Sequence, residues 1–384
     1  MTGRKKSIGS GGAGLAGRTR GSAAAGRTRR SAAAVMAVVL AAVMPAAFLT
    51  GCGKGRGASD NRLYVYNAGE YLDYDVIEMF EEETGIEVVY DEFETNEVMY
   101  PKLAADPTQY DVICPSDYMI EKMMQNGLVQ PLDYSKIPNA VEYIDQEYWD
   151  MAAQFDEGNK YAVPHFWGTV GILYDTSVIE EEPKSWDILW DPQYRDEILM
   201  QDSVRDLFVA PLKILGYSLN TMDEDELWEA TDMLIEQKPL VQAYVVDEVR
   251  DKMIAGEAAI GVIYSGEAEI CMEGNENLDF VIPEEGTEIW VDAWVISSGA
   301  KNVDAAHKWI DFMNRPDIAY MNFEYIYYSS PNSGIKDLLD EEELDNPVLF
   351  PDLSEQEGLE ALRYLGDEGD RLYFDLWKEI KSAY

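Results

Sequence analysis

From Asn61 onward, short apolar runs alternate with amphipathic segments, and this alternation restricts the possible folds more than any other feature of the chain. RLYVYN is typical of a β-strand, DYDVIEMFEEETG has apolar residues at helical spacing and ends at Gly85, and IEVVYDEF is again typical of a strand. YDVICP and DYMIEKMMQNG repeat the pattern, with Ser116 or Asp117 in position to cap the helix. The sequence therefore predicts an α/β fold.

The second half of the chain continues this alternation after a long strand-like stretch, YAVPHFWGTVGILYD. DSVRDLFVAPLKILG and DEDELWEATDMLIEQ are predicted helices, and AAIGVIYSGEAEICMEG is a predicted strand that enters a helix at Ser265 and Gly266. The helix AAHKWIDFMNRP is expected to end at Pro316, and an amphipathic helix is expected to fill most of 351–384. Because 384 residues with 47% hydrophobic content suffice for two cores, we expect two globular domains.

The first 51 residues differ in composition, since they hold eight basic residues and no acidic ones. Basic residues precede an apolar run at 32–49, whose last residue begins the sequence LTGC that ends at Cys52. This order predicts a lipoprotein signal peptide at 1–51, lipid attachment to Cys52, and a flexible tether at 52–60. A transmembrane helix is the alternative, although the run is short for one. We expect an extracytoplasmic or periplasmic protein, held on the outer face of the cell membrane by its lipid alone, and the sequence leaves the general and twin-arginine export routes open.

The net charge of the chain limits its partners. With 73 acidic and 30 basic side chains the formal charge is −43, which repels phosphate backbones and attracts cations, so we expect no nucleic-acid partner. Only two histidines, His165 and His307, are present, and the cysteines lack zinc-site spacing. We therefore expect no metal site, no cofactor and no histidine-dependent catalysis. Cys114 lies in the apolar run YDVIC and is expected to be a buried thiol.

Aromatic, hydroxyl and acidic residues follow several predicted strands. They are Tyr66, Glu70 and Tyr71 in YNAGEY, Ser116 and Tyr118 in PSDY, Tyr264 in IYSGE, and Trp290 and Asp292 in EIWVDAWVI. Ligands of open α/β sheets bind at the carboxyl ends of strands. Aromatic faces attract an ammonium group and shield its alkyl chain, while carboxylates accept its N–H groups. Together these residues indicate an amine ligand, although each alone could serve packing or helix capping.

Asp292 is the most informative of these residues because it lies between two tryptophans. Strand alternation puts Trp290, Asp292 and Trp294 on one face of the strand. A carboxylate on an aromatic face needs a hydrogen-bond donor, since its burial without one costs roughly several kcal/mol. An external cation is one possible partner, and a distant arginine or a backbone N–H group are the alternatives.

From Leu63 to Tyr384 the chain resembles the periplasmic spermidine/putrescine-binding proteins of polyamine ABC transporters, which have the type II solute-binding fold. The matching segments occur in order: YNAGEY, EETGIEVVYDEFETNEVMYPKL, YDVICPSDYMIEKM, VPHFWGTVGI, SWDILWDPQYRDEILMQDSVRD, IWVDAWVI and IYYSSPN. The resemblance implies a two-lobed α/β protein that closes over a linear polyamine in an interlobe cleft and delivers it to an ABC transporter permease. It implies no enzymatic activity, and we expect a monomer.

The resemblance also implies lobe limits and a set of ligand residues. Lobe 1 would comprise 61–166 plus 290–336, and lobe 2 would comprise 167–289 plus 337–384. The implied ligand-binding residues are Glu70, Tyr71, Ser116, Tyr118, Asp206, Tyr264, Trp290, Asp292 and Tyr328. No ligand role falls on Trp294, which we therefore expect to pack in the core.

Three positions depart from the family pattern. Ala68 and Tyr264 stand where the family usually has tryptophan, and Ser203 stands in place of an acid three residues before Asp206. These departures leave open which amine is preferred.

Three other functions fit parts of the sequence. A secreted glycosidase would also use acid pairs and exposed tryptophans. A ferric-ion binder of the same fold could use the adjacent tyrosines Tyr327 and Tyr328, and a sugar-binding receptor of this fold would need neutral hydrogen-bonding partners instead of carboxylates.

Overall fold

The computed structural model of the protein describes residues 61–383, apart from 352, 354 and 355. The predicted signal peptide, Cys52 and the tether lie outside these residues and stay predictions. Among the described residues, no helix has both the length and the apolar character that are needed to cross a bilayer.

The strands of the described residues form one mixed sheet. They are β1 (Arg62–Ala68), β2 (Glu87–Phe93), β3 (Val112–Ile113), β4 (Val129–Gln130), β5 (Ala162–Asp175), β6 (Ile198–Gln201), β7 (Val241–Val245), β8 (Ile260–Tyr264), β9 (Leu278–Val281) and β10 (Ile289–Ser297). Their order is β2-β1-β3-β10-β5-β8-β6-β7, with β4 paired to β10 and β9 paired to β5. The α/β class that the sequence predicts is confirmed.

The long strand β5 joins two halves of this sheet. Its first part, 162–169, pairs antiparallel with β10, and its second part, 170–175, pairs antiparallel with β8 and β9. The first half contains β1 to β4 and β10, and the second half contains β6 to β9. The predicted lobe limits near Phe166 and Ile289 fall on β5 and β10, and the limits themselves stay predictions.

Helices pack against both halves. They are α1 (Tyr74–Thr84), α2 (Asn96–Ala105), α3 (Asp117–Gln125), α4 (Pro138–Tyr143), α5 (Gln146–Ala152), α6 (Val209–Leu215), α7 (Glu224–Gln237), α8 (Glu248–Ile254), α9 (Ser265–Gly274), α10 (Val303–Met313), α11 (Pro316–Ile326), α12 (Glu341–Leu344) and α13 (Gly366–Ser382). As predicted, α1 ends at Gly85, which has a φ of 69° that glycine adopts without strain. The predicted passage from strand to helix at Ser265 is also present, since α9 follows β8 directly.

Two prolines change helix limits that the sequence predicts. The helix expected over 202–216 begins only at Val209, because a start at 202 would put Pro211 in the helix interior, whereas in α6 it lies in the first turn. The helix expected to end at Pro316 ends at Met313, and Pro316 is instead the first residue of α11.

The core contains the residues that the sequence assigned to packing. Trp294 is fully buried, and its ring lies 6.0 Å from that of Trp309. The thiols of Cys114 and Cys271 are both free and buried. Tyr66, a sequence candidate for the ligand site, is also a core residue, because it is buried and stacks on Tyr110 at 4.2 Å between ring centroids. Tyr66 therefore does not line the cleft described below.

Candidate ligand-binding cleft

A cleft with about 1120 Å³ of empty space, part of it open to solvent, lies at the carboxyl ends of β1, β6 and β8 and along β10. All nine residues that the sequence analysis assigned to the ligand line this cleft: Glu70, Tyr71, Ser116, Tyr118, Asp206, Tyr264, Trp290, Asp292 and Tyr328. Ala68 and Ser203, two of the departures from the family pattern, line it as well. The fold thus brings together residues that lie up to 258 positions apart, while their ligand-binding role stays a prediction.

Asp292 has an unsatisfied carboxylate in this cleft. Its backbone pairs with Phe166 of β5 and with Ser116, so β10 fixes where the side chain begins. The Oδ1 atom is buried and has no hydrogen-bond partner among the described residues, and neither has the hydroxyl group of Tyr71. Burial raises the pKa of Asp292 to about 6, although the nearby hydroxyls of Ser116 and Tyr71 act to lower it. A donor from outside the chain would satisfy this oxygen.

Four aromatic rings form a continuous wall beside Asp292. The ring of Trp290 meets that of Tyr328 edge to face at 4.9 Å and that of Tyr264 at 5.9 Å, and Tyr71 lies 5.5 Å from Tyr328. Such pairs fix each other's orientation and leave ring faces and edges toward the cleft. The wall can therefore shield methylene groups and attract a cation at once.

Two glycines make room for this aromatic wall. A Cβ atom at Gly168 would lie 2.6 Å from Cζ2 of Trp290, and one at Gly266 would lie 2.2 Å from Cδ1 of Tyr328. Any other residue at these positions would push the rings out of place. These glycines lie in the motifs HFWGTVG and IYSGE. The packing of the aromatic wall therefore explains why glycine occupies both positions.

Asp117 holds the start of α3 against β10. Its carboxylate accepts the backbone N–H of Tyr118 at 2.6 Å and that of Val291 at 3.3 Å. Of the two capping candidates, Ser116 is the residue before the helix but its side chain caps no N–H group. Asp117 thus positions both Ser116 and Tyr118 at the cleft. Burial raises the pKa of Asp117 to about 8.

The sequence analysis missed several of the cleft's polar side chains. They are Glu94, Asn96, Glu97, Gln201, Asp247, Arg250, Glu267 and Glu288. Two available signals could have found some of them. Glu94 and Glu97 follow the carboxyl end of β2, which is parallel to β1. Glu288 has the same strand parity as Trp290 and Asp292, so the alternation argument extends to it.

The two ends of the cleft differ in charge. At one end Tyr118 donates its hydroxyl to Glu97 at 2.8 Å, and Tyr264 donates its hydroxyl to Asp206 at 2.8 Å. No lysine or arginine among the described residues lines that end. Acidic side chains with hydroxyl donors, but without a basic residue on the cleft wall, suit the ammonium group of a ligand.

At the other end the chain supplies its own cation, Arg250. Its guanidinium pairs with Glu70, and its Nε lies 3.7 Å from Oε1 of Glu267. Burial raises the pKa of Glu267 to about 8, while Arg250 acts to lower it. The pair with Glu70 joins the loop after β1, in the first half of the sheet, to α8, which packs on the second half.

The fold and the cleft define a periplasmic solute-binding protein of type II, with strand ends from both halves of the sheet around a polar cleft. The chain belongs to the family of bacterial extracellular solute-binding proteins, whose sequence profile matches residues 109–355. The predicted family and fold are therefore confirmed.

Individual relatives are similar over most of the chain. The spermidine/putrescine-binding periplasmic protein of Salmonella typhimurium is 35% identical, over 85% of this chain and 93% of that protein. The solved structure of a spermidine/putrescine ABC transporter protein from Listeria monocytogenes is 40% identical with a TM-score of 0.81, over 84% of this chain and 100% of that one. The substrate-binding protein PotD from Streptococcus pneumoniae is 41% identical with a TM-score of 0.72, over 83% and 98%.

Proposed function

We propose that this protein binds a linear polyamine, spermidine or putrescine, outside the cytoplasm and delivers it to an ABC transporter without catalysing a reaction. The observation that carries the proposal is the buried, unpartnered Oδ1 of Asp292 beside the aromatic wall. An ammonium group would supply the donor that such an oxygen lacks, and the methylenes next to it would fit against the rings. The names of the relatives support the same ligand class.

In the proposed mechanism, Asp292, Glu70 and Asp206 pair with ammonium groups while the rings of the aromatic wall enclose the methylenes. Closure of the two lobes buries the ligand, and the transporter recognises the closed form. Cys52, which precedes the described residues, carries the lipid that keeps the protein at the membrane. The protein acts as a monomer.

The ferric-ion alternative has less support from the geometry. The hydroxyl of Tyr327 donates to Glu273 at 2.9 Å, whereas Tyr328 lies in the cleft, so these adjacent tyrosines do not converge on one point. A sugar would require neutral partners, whereas eight carboxylates line the cleft. Neither alternative explains the unpartnered oxygen of Asp292 as well as an amine does.

A ligand panel tests the proposal. We expect putrescine or spermidine to raise the melting temperature of the purified protein, while amino acids and maltose leave it unchanged. We expect Asp292→Asn to weaken binding by about 2–3 kcal/mol, measured by titration calorimetry, because a charge-assisted hydrogen bond is lost. Asp187→Asn, which removes an exposed charge outside the cleft, is the control. Stabilisation by another ligand class, with no shift from any polyamine, would exclude the proposal.

The pH dependence of binding gives a further test at Asp292. Its pKa of about 6 means that protons compete with the cationic ligand below that pH, whereas the polyamine stays charged. Protonation of Asp292 alone is expected to lower the polyamine affinity about tenfold between pH 7 and pH 5. If the affinity of the Asp292→Asn variant depends on pH as strongly as that of the wild type over this range, Asp292 is not the cause.

A further inference from the structure

Glu288 is a buried acid that has no role in the proposed mechanism. It directly precedes β10, and its backbone carbonyl accepts the N–H of Val170, which fixes it beside β5. The residue is only 3% exposed, yet it lines the cleft, and its Oε2 atom has no hydrogen-bond partner among the described residues. A buried carboxyl oxygen without a donor is costly, so its retention at a cavity wall indicates a missing partner.

Asp206 is an acid close enough to Glu288 to affect its ionisation. Burial and the charge of Asp206 raise the pKa of Glu288 well above its usual range. At neutral pH Glu288 therefore carries a proton. A cation between the two carboxylates would take the place of that proton.

The other charged groups near Glu288 do not fill this role. Asp117 is a further acid, and it raises the pKa of Glu288. Arg205 lowers it, but its two terminal nitrogens donate to the carbonyl oxygens of Leu219 at 3.0 Å and Arg363 at 3.2 Å, while its buried Nε has no hydrogen-bond partner among the described residues. Its hydrogen bonds are therefore directed away from the cleft.

Gln201 provides a second unpartnered acceptor in the lining of the same cleft. It is 1% exposed, and its Nε2 donates to the carbonyl oxygen of Val262 at 3.2 Å, which orients the amide. Its Oε1 has no hydrogen-bond partner among the described residues. Asp206, Glu288 and Gln201 thus present acceptor oxygens from three side chains, and a primary ammonium group has three N–H donors.

We propose that Glu288 is a ligand-binding residue that, together with Asp206 and Gln201, forms a position for a terminal primary ammonium group. Without a ligand, Glu288 carries a proton. When the ammonium group enters, that proton leaves to the solvent, and each carboxylate accepts an N–H group. The inference rests on the proposed function, because it takes the ligand to be a polyamine.

Proton release on binding tests this proposal. We expect calorimetric titration of the wild-type protein with putrescine and spermidine at pH 7, in phosphate and in Tris buffer, to show net release of protons. Glu288→Gln keeps the shape of the neutral acid but carries no titrating proton, so it is expected to release about one proton fewer and to bind at least about tenfold more weakly. Glu284→Gln, an exposed acid in the same loop, is expected to match the wild type in both respects.

The outcomes separate this proposal from the proposed function. Wild-type affinity and unchanged proton release in Glu288→Gln would show that Glu288 is a neutral structural acid and would overturn the proposal. Polyamine binding by the wild-type protein without any proton release would overturn it as well, and this measurement needs no variant. If the wild-type protein binds no polyamine at all, the proposed function fails first.

Discussion

Gly266 shows how a residue without a side chain shapes the cleft. It lies in the first turn of α9 and is buried, and the ring of Tyr328 occupies the space that a Cβ atom would take. Because Tyr328 also contacts Trp290 and Tyr71, displacement of this one ring would disturb the whole aromatic wall.

We expect Gly266→Ala to lower the free energy of unfolding by about 1–3 kcal/mol, the usual cost of overpacking. Polyamine affinity is expected to fall at least about tenfold, because Tyr328 has to move. Denaturant unfolding and titration calorimetry measure the two effects. Gly274→Ala in the same helix is the matched control, since its Cβ would meet only the flexible Ile254 side chain, at 3.0 Å. Equal affinity in both variants would show that Tyr328 does not shape the site.

The site could be predicted from the sequence where one local rule applied. Residues after strand ends, such as Tyr71 and Tyr118, were found because the carboxyl ends of neighbouring strands converge. Arg250 was missed because it lies on a helix and pairs with Glu70, 180 positions away. Such a pairing depends on how the two halves of the sheet face each other, and no period in the sequence encodes it.

At the scale of elements, the pair between Arg250 and Glu70 links α8 to the loop after β1 across the cleft. Glu70 has a φ of 51°, which is uncommon for a residue with a side chain. Arg250 competes with a ligand ammonium group for Glu70 and Glu267, and we therefore expect it to disfavour a longer amine that would reach these carboxylates.

We expect Arg250→Gln to raise the affinity for spermidine relative to that for putrescine by about tenfold, or 1.4 kcal/mol. The physical reason is that Glu70 and Glu267 become available to a further ammonium group, which the triamine has and the diamine lacks. Competition titrations with the two amines measure this ratio. Arg195→Gln, an exposed arginine outside the cleft, should leave the ratio unchanged. The same ratio in Arg250→Gln as in the wild type would exclude Arg250 as a determinant of ligand length.

Element types were more predictable than element limits. Periodicity identified α1, α7 and β10 because each has a buried face with a regular spacing. The predicted start of α6 is too early. The apolar spacing of a helix extends over all of 202–216, but the first residues of this range follow β6 and then form a short 3-10 turn. The backbone N–H of Asp202 donates to the carbonyl oxygen of Val245, and this tertiary hydrogen bond keeps Asp202 out of a helix.

At the scale of the whole molecule, buried acids set the pH dependence of stability. Burial raises the pKa values of Asp117 and Glu267 to about 8 and that of Asp292 to about 6, all above their values in an unfolded chain. The folded protein therefore binds more protons than the unfolded one in this range. The contribution of these three acids to the free energy of unfolding is complete at a pH below their pKa values in the unfolded chain. It is lost as the pH rises through 6 to 8.

We accordingly expect the melting temperature of the ligand-free protein to rise when the pH is lowered from 8 to 6. The gain in stability should be about 1 kcal/mol per pH unit for each group that titrates. Scanning calorimetry at pH 8, 7 and 6 measures it, and saturating polyamine should reduce the difference, since a cation stabilises the ionised acids. A melting temperature that falls on acidification over this range would contradict the assignment.

The strand β5 also affects how the protein unfolds. Its hydrogen bonds go to β10 in one half of the sheet and to β8 and β9 in the other, so neither half can lose its order without leaving part of the same strand unpaired. Two lobes on a flexible linker would melt one after the other, whereas we expect the two halves of this sheet, which share a strand, to melt together. The strand on which we propose that the lobes close is thus also expected to make them a single folding unit.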